Sequence, residues 1–268
     1  MCGACGVATT DPWPTSAELE AAYGTWYRPD AGRFSGPGDA LLRRSRARFA
    51  TRVDALAPPG PVLDVGSGDG TLVAALQARG REASGLERGD RELGSLEAPQ
   101  AAVVFWHSLE HLPDPAAALA HAAALLAPGG RLIVAVPNAA SLQARAFGDR
   151  WFALDLPRHV FHFPAAAIAR RMGELGLDVT RASHLAGGQV AFGWLHGMIG
   201  ALPGHVDLYD AIRRPEARRT TVAPARRAGA LAAAAALAPV AVAAAGAEAV
   251  ARRGGTVLIE ARAPHLSR

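Results

Sequence analysis

The segment PVLDVGSGDG, residues 61–70, decides the fold of this 268-residue chain. Its apolar half, VLDV, predicts a buried strand, and its second half is a glycine-rich loop. Residues 71–79 follow directly with helical periodicity, and Gly80 ends that helix. Glycine tolerates positive φ and lets a ligand approach backbone N–H groups at a helix N-terminus. A strand, a glycine loop and a helix in this order predict a nucleotide-type site at the carboxyl edge of a parallel sheet.

The same alternation of elements continues along the chain. An amphipathic helix over residues 38–56 ends before Pro58-Pro59-Gly60. The later apolar runs predict strands, and the segments between them predict helices, so the fold class is α/β with a mostly parallel sheet covered on both faces. The predicted strands cover residues 82–87, 101–106, 131–136, 177–185 and 256–261, and the predicted helices cover residues 115–126 and 164–175.

Composition excludes several classes of protein. With 50% hydrophobic residues the chain is not disordered, and a net charge of +4 is too small to indicate a nucleic-acid protein. Cys2 and Cys5 exclude a disulfide framework, and they form only half of a zinc site, so no metal is expected. The N-terminus lacks the apolar core of a secretory signal, and we expect a cytoplasmic protein.

An acidic residue follows the glycine loop at the end of the next predicted strand. Glu87 ends the second predicted strand, 17 residues beyond Gly70. A carboxylate at this position can accept hydrogen bonds from both ribose hydroxyls. The loop reads G-x-G-x-G rather than the dinucleotide pattern G-x-G-x-x-G, and this spacing argues against NAD.

Four segments in order, VLDVGSGDG, SGLE, VVFWHSLEHLPDP and LLAPGGRLIVAVPN, resemble the successive motifs of class I S-adenosylmethionine-dependent methyltransferases over residues 40–185. The segment DLPRHVFHFP resembles the branch that acts on small molecules such as sugars, quinones and natural products. The resemblance implies S-adenosyl-L-methionine as cofactor, a Rossmann-like sheet and a last antiparallel strand. It implies that Glu87 binds the ribose, that His107 and Ser108 flank the methionine and adenine, and that the methionine part contacts Asp64, Gly66, Ser67, Gly68 and Gly70.

The chain departs from this family after its second strand. Family members usually place a helix, a third strand and an acid for the adenine in the interval that here holds only residues 88–100. Thirteen residues are too few for a helix of ~11 residues and a strand of ~5. We therefore expect a sheet shortened by one strand, with an adenine side that is open or completed by Glu92, Ser95 or Glu97.

Histidines supply the candidates for removing a proton from a methyl acceptor, because imidazole titrates near neutral pH. His159 is the preferred base, and His111 and His162 are the other candidates; a structural role is the alternative for each. The segment HSLEH also spells an inverted zinc-protease motif. Pro113 cuts any helix there short, so zinc hydrolysis is not favoured. Trp106, Trp151 and Phe152 either wall the methyl site or pack in the core.

Domain organisation follows from these elements. Residues 1–36 form an irregular N-terminal arm, and residues 37–268 form one methyltransferase domain. An insertion, residues 186–255, begins at the cofactor edge of the sheet and is expected to act as an acceptor lid or a helical hairpin. Its candidate substrate contacts, which a structural role would explain as well, are Gln189, Phe192, Trp194, His196 and Tyr209.

Residues 228–247 contain no charged side chain. As one helix of ~30 Å they could cross a bilayer. Pro239 interrupts the run, and a crossing would separate the last strand from its sheet, so we predict two short packed helices or a hairpin. Peripheral membrane contact through this run is the alternative.

Taken with the resemblance, these features lead to one main hypothesis. The chain is expected to methylate an oxygen of a small, partly hydrophobic acceptor. A module that binds S-adenosylmethionine without catalysis is the second hypothesis. A nucleic-acid methyltransferase is disfavoured, because no Asn/Asp-Pro-Pro-Tyr/Phe segment follows residues 101–106.

Overall fold

The computed structural model describes residues 1–24, 32–87, 93–96, 98–185 and 189–265. The described strands are β1 Ala8–Thr9, β2 Val62–Val65, β3 Ala83–Leu86, β4 Gln100–Trp106, β5 Leu126–Pro137, β6 Phe161–His162, β7 Asp178–Ser183 and β8 Thr256–Arg262. The described α-helices are α1 Ser16–Ala22, α2 Gly38–Leu56, α3 Thr71–Gln77, α4 Pro115–Ala124, α5 Leu142–Phe147, α6 Ala165–Glu174, α7 Gln189–Gly200, α8 Leu208–Ile212 and α9 Pro224–Val250.

Six strands form the central sheet in the order β3-β2-β4-β5-β8-β7. All run parallel except β8, which is antiparallel to both of its neighbours. This order confirms the mostly parallel α/β sheet and its last antiparallel strand. Within the described ranges no strand lies beyond β3, and the connection to β4 shows only a short 3-10 helix, Leu93–Ser95. The predicted shortening after the second strand is therefore confirmed.

The sheet is buried on both faces by alternating side chains of the same strands. Leu63 and Val65 of β2 face one core with α4 and α6, whereas Val62 faces the other with α2 and α3. Side chains of successive strand residues point to opposite faces, so continuous apolar runs cover both. This two-sided core fixes the strand ends that carry the site.

The N-terminal arm is more regular than the sequence predicted. The expectation of an irregular arm over residues 1–36 is wrong in two places: β1 pairs with β6, and α1 is a helix. The cause at α1 is a capping box, in which Thr15 and Glu18 satisfy each other's backbone N–H groups. The β1–β6 pairing, together with a hydrogen bond from the Thr10 N–H to the Val160 carbonyl, attaches the arm to the segment around residues 159–162.

The boundary before β5 also differs from the prediction. Helix α4 ends at Ala124 and β5 begins at Leu126, so the expected strand start at residue 131 is too late. The strand passes through Pro128-Gly129-Gly130 with a register shift opposite β4. Glycine at positive φ, as at Gly129, lets the chain bulge without ending the strand.

The insertion between β7 and β8 is helical. Helices α7, α8 and α9 pack on one another around a small core that contains Ile199, Leu208 and Ala234. The prediction of two short helices or a hairpin over residues 228–247 is wrong, because α9 is one helix that contains Pro239. Proline costs about 3 kcal/mol inside a helix, and the surrounding alanines, the best helix formers, offset that cost.

Helix α9 is long and apolar enough to cross a membrane, and little of it is buried. Such a helix alone is weak support for a membrane span. It lies between β7 and β8, which pair with each other in the same sheet. A span would separate those two strands, so crossing is incompatible with the fold, while contact with a membrane surface stays a prediction.

Candidate functional site

The glycine loop connects β2 to α3 as expected, and its three glycines adopt the left-handed conformation. Gly66, Gly68 and Gly70 have φ of 78°, 66° and 67°. A side chain at any of these positions would be strained. At Gly66 a Cβ would also collide with Ser108, which lies at the end of the neighbouring strand β4. The backbone can take this path only because the positions are glycine.

The predicted ribose acid lies against the loop. One carboxylate oxygen of Glu87 accepts hydrogen bonds from the Gly68 N–H and from the Ser67 hydroxyl, the latter at 3.1 Å. Glu87, Ser67 and Gly68, three of the residues predicted to bind the cofactor, are thus in direct contact. The strand end at β3 therefore places a carboxylate where hydroxyl donors of a ligand at this loop can reach it.

Asp64 is a buried carboxylate beneath the loop. It is 3% exposed, and its Oδ1 atom has no hydrogen-bond partner among the described residues. Burial raises the pKa of Asp64 to about 7, against the opposing charge of Arg46. Ser108 donates a hydrogen bond of 2.5 Å to the Val65 carbonyl and so ties β4 to β2 at this edge. Asp64 is left with an acceptor available to a ligand.

Of the three residues expected to complete the adenine side, one lies among the described residues. Ser95 lies exposed in the 3-10 helix before β4. Glu92 and Glu97, the other two residues expected to complete this side, lie outside the described residues.

A cluster of the buried residues Glu110 and His159 and the half-buried His111 lies at the end of β4. The ligand-type atoms of the three side chains lie within 4.8 Å of one another. Glu110 and His111 belong to a single 3-10 turn, Leu109–His111, which confirms that HSLEH cannot form the long helix of a zinc protease. His159 comes from the segment before β6, and its ring packs edge-on against His111 with centroids 4.6 Å apart.

Each histidine of the cluster has one ring nitrogen on a backbone carbonyl. Nδ1 of His111 lies 2.9 Å from the Arg158 oxygen, and Nδ1 of His159 lies 2.8 Å from the Ala153 oxygen. Since a carbonyl only accepts, both Nδ1 atoms carry the proton and Nε2 keeps the lone pair. His159 Nε2 lies 3.9 Å from Glu110 Oε1 and 3.6 Å from an oxygen of Asp155.

Burial and neighbouring charges shift the pKa values of Glu110 and His111 in this cluster. Burial alone would raise the pKa of Glu110, but His107, with Nδ1 at 3.4 Å, and the other two histidines hold that pKa at about 2. Burial, together with His159, lowers the pKa of His111 to about 4. At neutral pH the cluster therefore holds an ionised carboxylate beside a neutral His111. Glu110 is a site residue that the sequence reasoning did not select, although it stood in the HSLEH motif.

An aromatic cluster forms where the insertion packs against the segment that follows α5. Phe152, which follows α5, packs against Phe192 at 5.0 Å, His196 at 5.1 Å and Tyr209 at 5.4 Å between ring centroids. His196 is in turn 3.4 Å from Asp207. Phe34 of the arm adds a fifth ring, 5.8 Å from Tyr209. The insertion thus supplies three rings that pack on Phe152, and its role as an acceptor lid stays a prediction.

Other predicted acceptor contacts lie elsewhere. The Trp194 indole N–H donates to buried Glu248 at 2.9 Å, and its ring packs on Phe147 at 5.3 Å. Gln189 is exposed at the start of α7. Trp151 is buried in the chain just before Phe152. Trp194 therefore attaches the insertion to the core, and neither it nor Gln189 has a described contact with the aromatic cluster.

The N-terminal arm contributes residues that the sequence did not indicate. The Tyr23 hydroxyl lies 3.0 Å from His111 Nδ1, and Arg33 pairs with Asp69 of the glycine loop at 3.5 Å. His162, the third base candidate, lies in β6 beside the arm, 3.3 Å from the Thr10 hydroxyl. Only tertiary contacts reveal that the arm covers both the loop and the histidine cluster.

Comparison with known proteins places the chain in a family. A profile described as a methyltransferase domain matches residues 37–182, more than half of the chain. The ubiquinone biosynthesis O-methyltransferase of Xanthomonas oryzae pv. oryzae strain PXO99A is 32% identical over 130 residues, which are 48% of this chain and 52% of that protein. The protein of the same name from Xanthomonas axonopodis pv. citri strain 306 is 30% identical, with the same shares covered. The chain spans about half the length of these curated relatives.

Among solved structures, the cyclase SpnF is similar over 93% of this chain and 92% of its own, at 18% identity and a TM-score of 0.46. The matched profile covers the glycine loop, the Glu87 strand and the histidine cluster, which are the three parts of the site described above.

Proposed function

Because the chain belongs to the methyltransferase-domain family, with the class I sheet, we propose that it transfers a methyl group from S-adenosylmethionine to an oxygen of a small acceptor with a flat apolar part. The observation that carries this proposal is the left-handed loop Gly66-Ser67-Gly68-Asp69-Gly70 with the Glu87 carboxylate against it. That arrangement supplies close backbone donors and one acid at a strand end, which suits a ligand with an amino-acid part and a ribose.

The residues at the loop fit the cofactor chemically. A Cβ at Gly66 would collide with Ser108, so this position carries no side chain that could shield the loop backbone from a ligand. Asp64 offers a buried acceptor without a described partner, and Glu87 offers an acceptor for a diol. When bound, S-adenosylmethionine supplies an electrophilic methyl group on a sulfonium. The residues of this chain then have to align the acceptor and remove its proton.

The acceptor is proposed to lie between the aromatic and histidine clusters. The two clusters are adjacent, because Phe152 precedes Ala153, whose carbonyl holds His159. Aromatic side chains bury flat apolar ligands well. The curated relatives are named for ubiquinone biosynthesis and for O-methylation, which supports a hydroxylated ring as the acceptor class.

Proton removal is proposed to occur at the histidine cluster. Nε2 of His159 has the lone pair, and the Glu110 carboxylate nearby would stabilise an imidazolium formed there. His111 offers a second Nε2 atom in the same cluster. The proton of the acceptor hydroxyl would thus leave as the oxygen gains the methyl group.

A calorimetric titration with S-adenosylmethionine tests the cofactor site. Glu87→Ala removes the proposed ribose acceptor, and because hydrogen bonds to a charged group are worth about 1.5–3 kcal/mol, we expect affinity to fall roughly 10- to 100-fold. Glu82→Ala, at the other end of the same strand, is exposed and is the matched control. Lack of binding by the unaltered protein at millimolar cofactor, or equal losses in both variants, would refute the assignment.

A turnover measurement distinguishes the second hypothesis, a module that binds the cofactor without catalysis, from an active methyltransferase. The shortened sheet edge beyond β3 is the observation that favours it. Incubation with S-adenosylmethionine and a panel of hydroxylated aromatic compounds, followed by mass spectrometry, should reveal acceptors that gain one methyl group. Tight cofactor binding without any methylated product across hydroxylated aromatic, sugar and amine panels would favour the module.

A further inference from the structure

We propose that Glu110, His111 and His159 bind a divalent transition-metal ion, with Zn²⁺ as the best fit. Nothing in the family match or in the relatives' names assigns a metal to this chain. Two imidazole nitrogens and one carboxylate oxygen lie within 4.8 Å of one another at the end of β4. This donor set is one that zinc and related ions prefer.

The first independent observation is the state of Glu110. Its side chain is 1% exposed, and neither carboxylate oxygen accepts a hydrogen bond of good geometry from the described residues. A buried carboxylate without hydrogen bonds is costly and needs a compensating charge. The basic side chains described beside Glu110 are imidazoles, His107 with Nδ1 at 3.4 Å and His159 with Nε2 at 3.9 Å, which carry a positive charge only when protonated. A bound cation at Glu110 would supply the missing compensation.

The second observation is the orientation of the two imidazoles. Both Nδ1 atoms are fixed on backbone carbonyls, of Arg158 and of Ala153. Histidines that ligate metals almost always donate the other ring N–H to a carbonyl or a carboxylate, which fixes the tautomer. The Nε2 atoms of His111 and His159 are therefore the free ligand atoms, and the Tyr23 hydroxyl supports the first ring at 3.0 Å.

The distances allow a metal with a small adjustment. Zinc binds nitrogen and carboxylate ligands at about 2.0–2.2 Å, which places ligand atoms about 3.4 Å apart around a tetrahedral ion. The three side chains would close in by about an ångström, which side-chain rotation can supply. Three protein ligands leave a fourth position open.

The role of the ion in the reaction rests on the proposed function, whereas its binding does not. The open position would bind the acceptor hydroxyl oxygen and lower its pKa, as zinc does for water. In that case the proton leaves to solvent and His159 serves as a ligand rather than as the base. The HSLEH segment would then contribute two ligands of a metal site without the helix of a zinc protease.

Metal binding is tested without cofactor or acceptor. The protein carries Cys2→Ser and Cys5→Ser, which remove the exposed Cys-x-x-Cys thiols, and is stripped with a chelator and titrated with Co²⁺ and then Zn²⁺. We expect one ion per chain, a visible Co²⁺ absorption that Zn²⁺ abolishes, and micromolar or tighter affinity. Glu110→Gln should weaken binding more than tenfold, while His205→Ala, which alters an exposed histidine outside the cluster, should not change it.

The Cys2→Ser/Cys5→Ser protein, whose metal-site residues are intact, provides a measurement that needs no cluster variant. Zn²⁺ should raise its thermal midpoint, because an ion that binds only the folded state stabilises it. The proposal is overturned if the titration shows no saturable one-to-one site, or if a folded Glu110→Gln protein binds as tightly as its parent. Because S-adenosylmethionine is absent throughout, failure here leaves the methyltransferase proposal untouched, and failure of cofactor binding leaves the metal site untouched.

Discussion

Replacing Gly66 with alanine should destabilise the protein far more than the same change at Gly70. Both residues have nearly the same positive φ, 78° and 67°, so both variants bear the left-handed penalty of about 1–2 kcal/mol. Only at Gly66 would the new methyl group collide with Ser108; at Gly70 no atom lies within 4 Å. Overpacking of this kind costs about 1–3 kcal/mol, so the free energies of unfolding should differ by about 2 kcal/mol.

Urea unfolding followed by fluorescence and circular dichroism measures this difference. A double-mutant cycle identifies its cause, because Ser108→Gly removes the atom that the new methyl group meets. In the Ser108→Gly background the cost of Gly66→Ala should fall to that of Gly70→Ala. Equal costs at the two glycines in the parent protein, or an unchanged cost at Gly66 in the Ser108→Gly background, would refute the reasoning about the loop.

Two further outcomes follow from buried carboxylates. Because burial raises the pKa of Asp64 to about 7, folding takes up a proton between about pH 4 and 7, and the free energy of unfolding should fall as pH rises through that window. Asp64→Asn should remove this fall of about 3 kcal/mol, measured by urea unfolding at pH 4.5 and pH 8. Glu248→Ala should cost about 4 kcal/mol, because Glu248 accepts hydrogen bonds from the backbone and side chain of Gln143 and from Trp194. Trp194→Phe, which removes one donor, should cost less than half of that; equal costs would show that the indole contact dominates.

The sheet and the cofactor loop could be predicted from sequence because their signals are local. Each strand is a continuous apolar run, and the loop needs glycine at Gly66, Gly68 and Gly70 for backbone reasons that neighbouring residues do not alter. The missing strand could be predicted by counting, since residues 88–100 are too few to hold it. The arrangement of Glu87 on the loop follows from the parallel register of β2 and β3.

The acceptor side could not be predicted in the same way, because its contacts join distant parts of the chain. Glu110 and His159 are 49 residues apart, and their approach depends on the path of the chain from α5 to β6. Tyr23 reaches His111 only because β1 and α1 fasten the arm, which the sequence described as irregular. Pro239 misled the prediction for α9, because the helix propensity of the flanking alanines outweighed the proline penalty.

The position of β8 has a consequence for how the chain folds. Strand β8 lies between β5 and β7, although it follows both of them and the whole helical insertion in sequence. In the described sheet β7 pairs only with β8, so it has no hydrogen-bonded neighbour until β8 has arrived. Pairings that connect residues far apart in sequence form late and slowly. During synthesis, the edge that carries the insertion should therefore stay unformed while the β3-β2-β4-β5 half assembles, and locking of that edge by β8 should be the last step of folding.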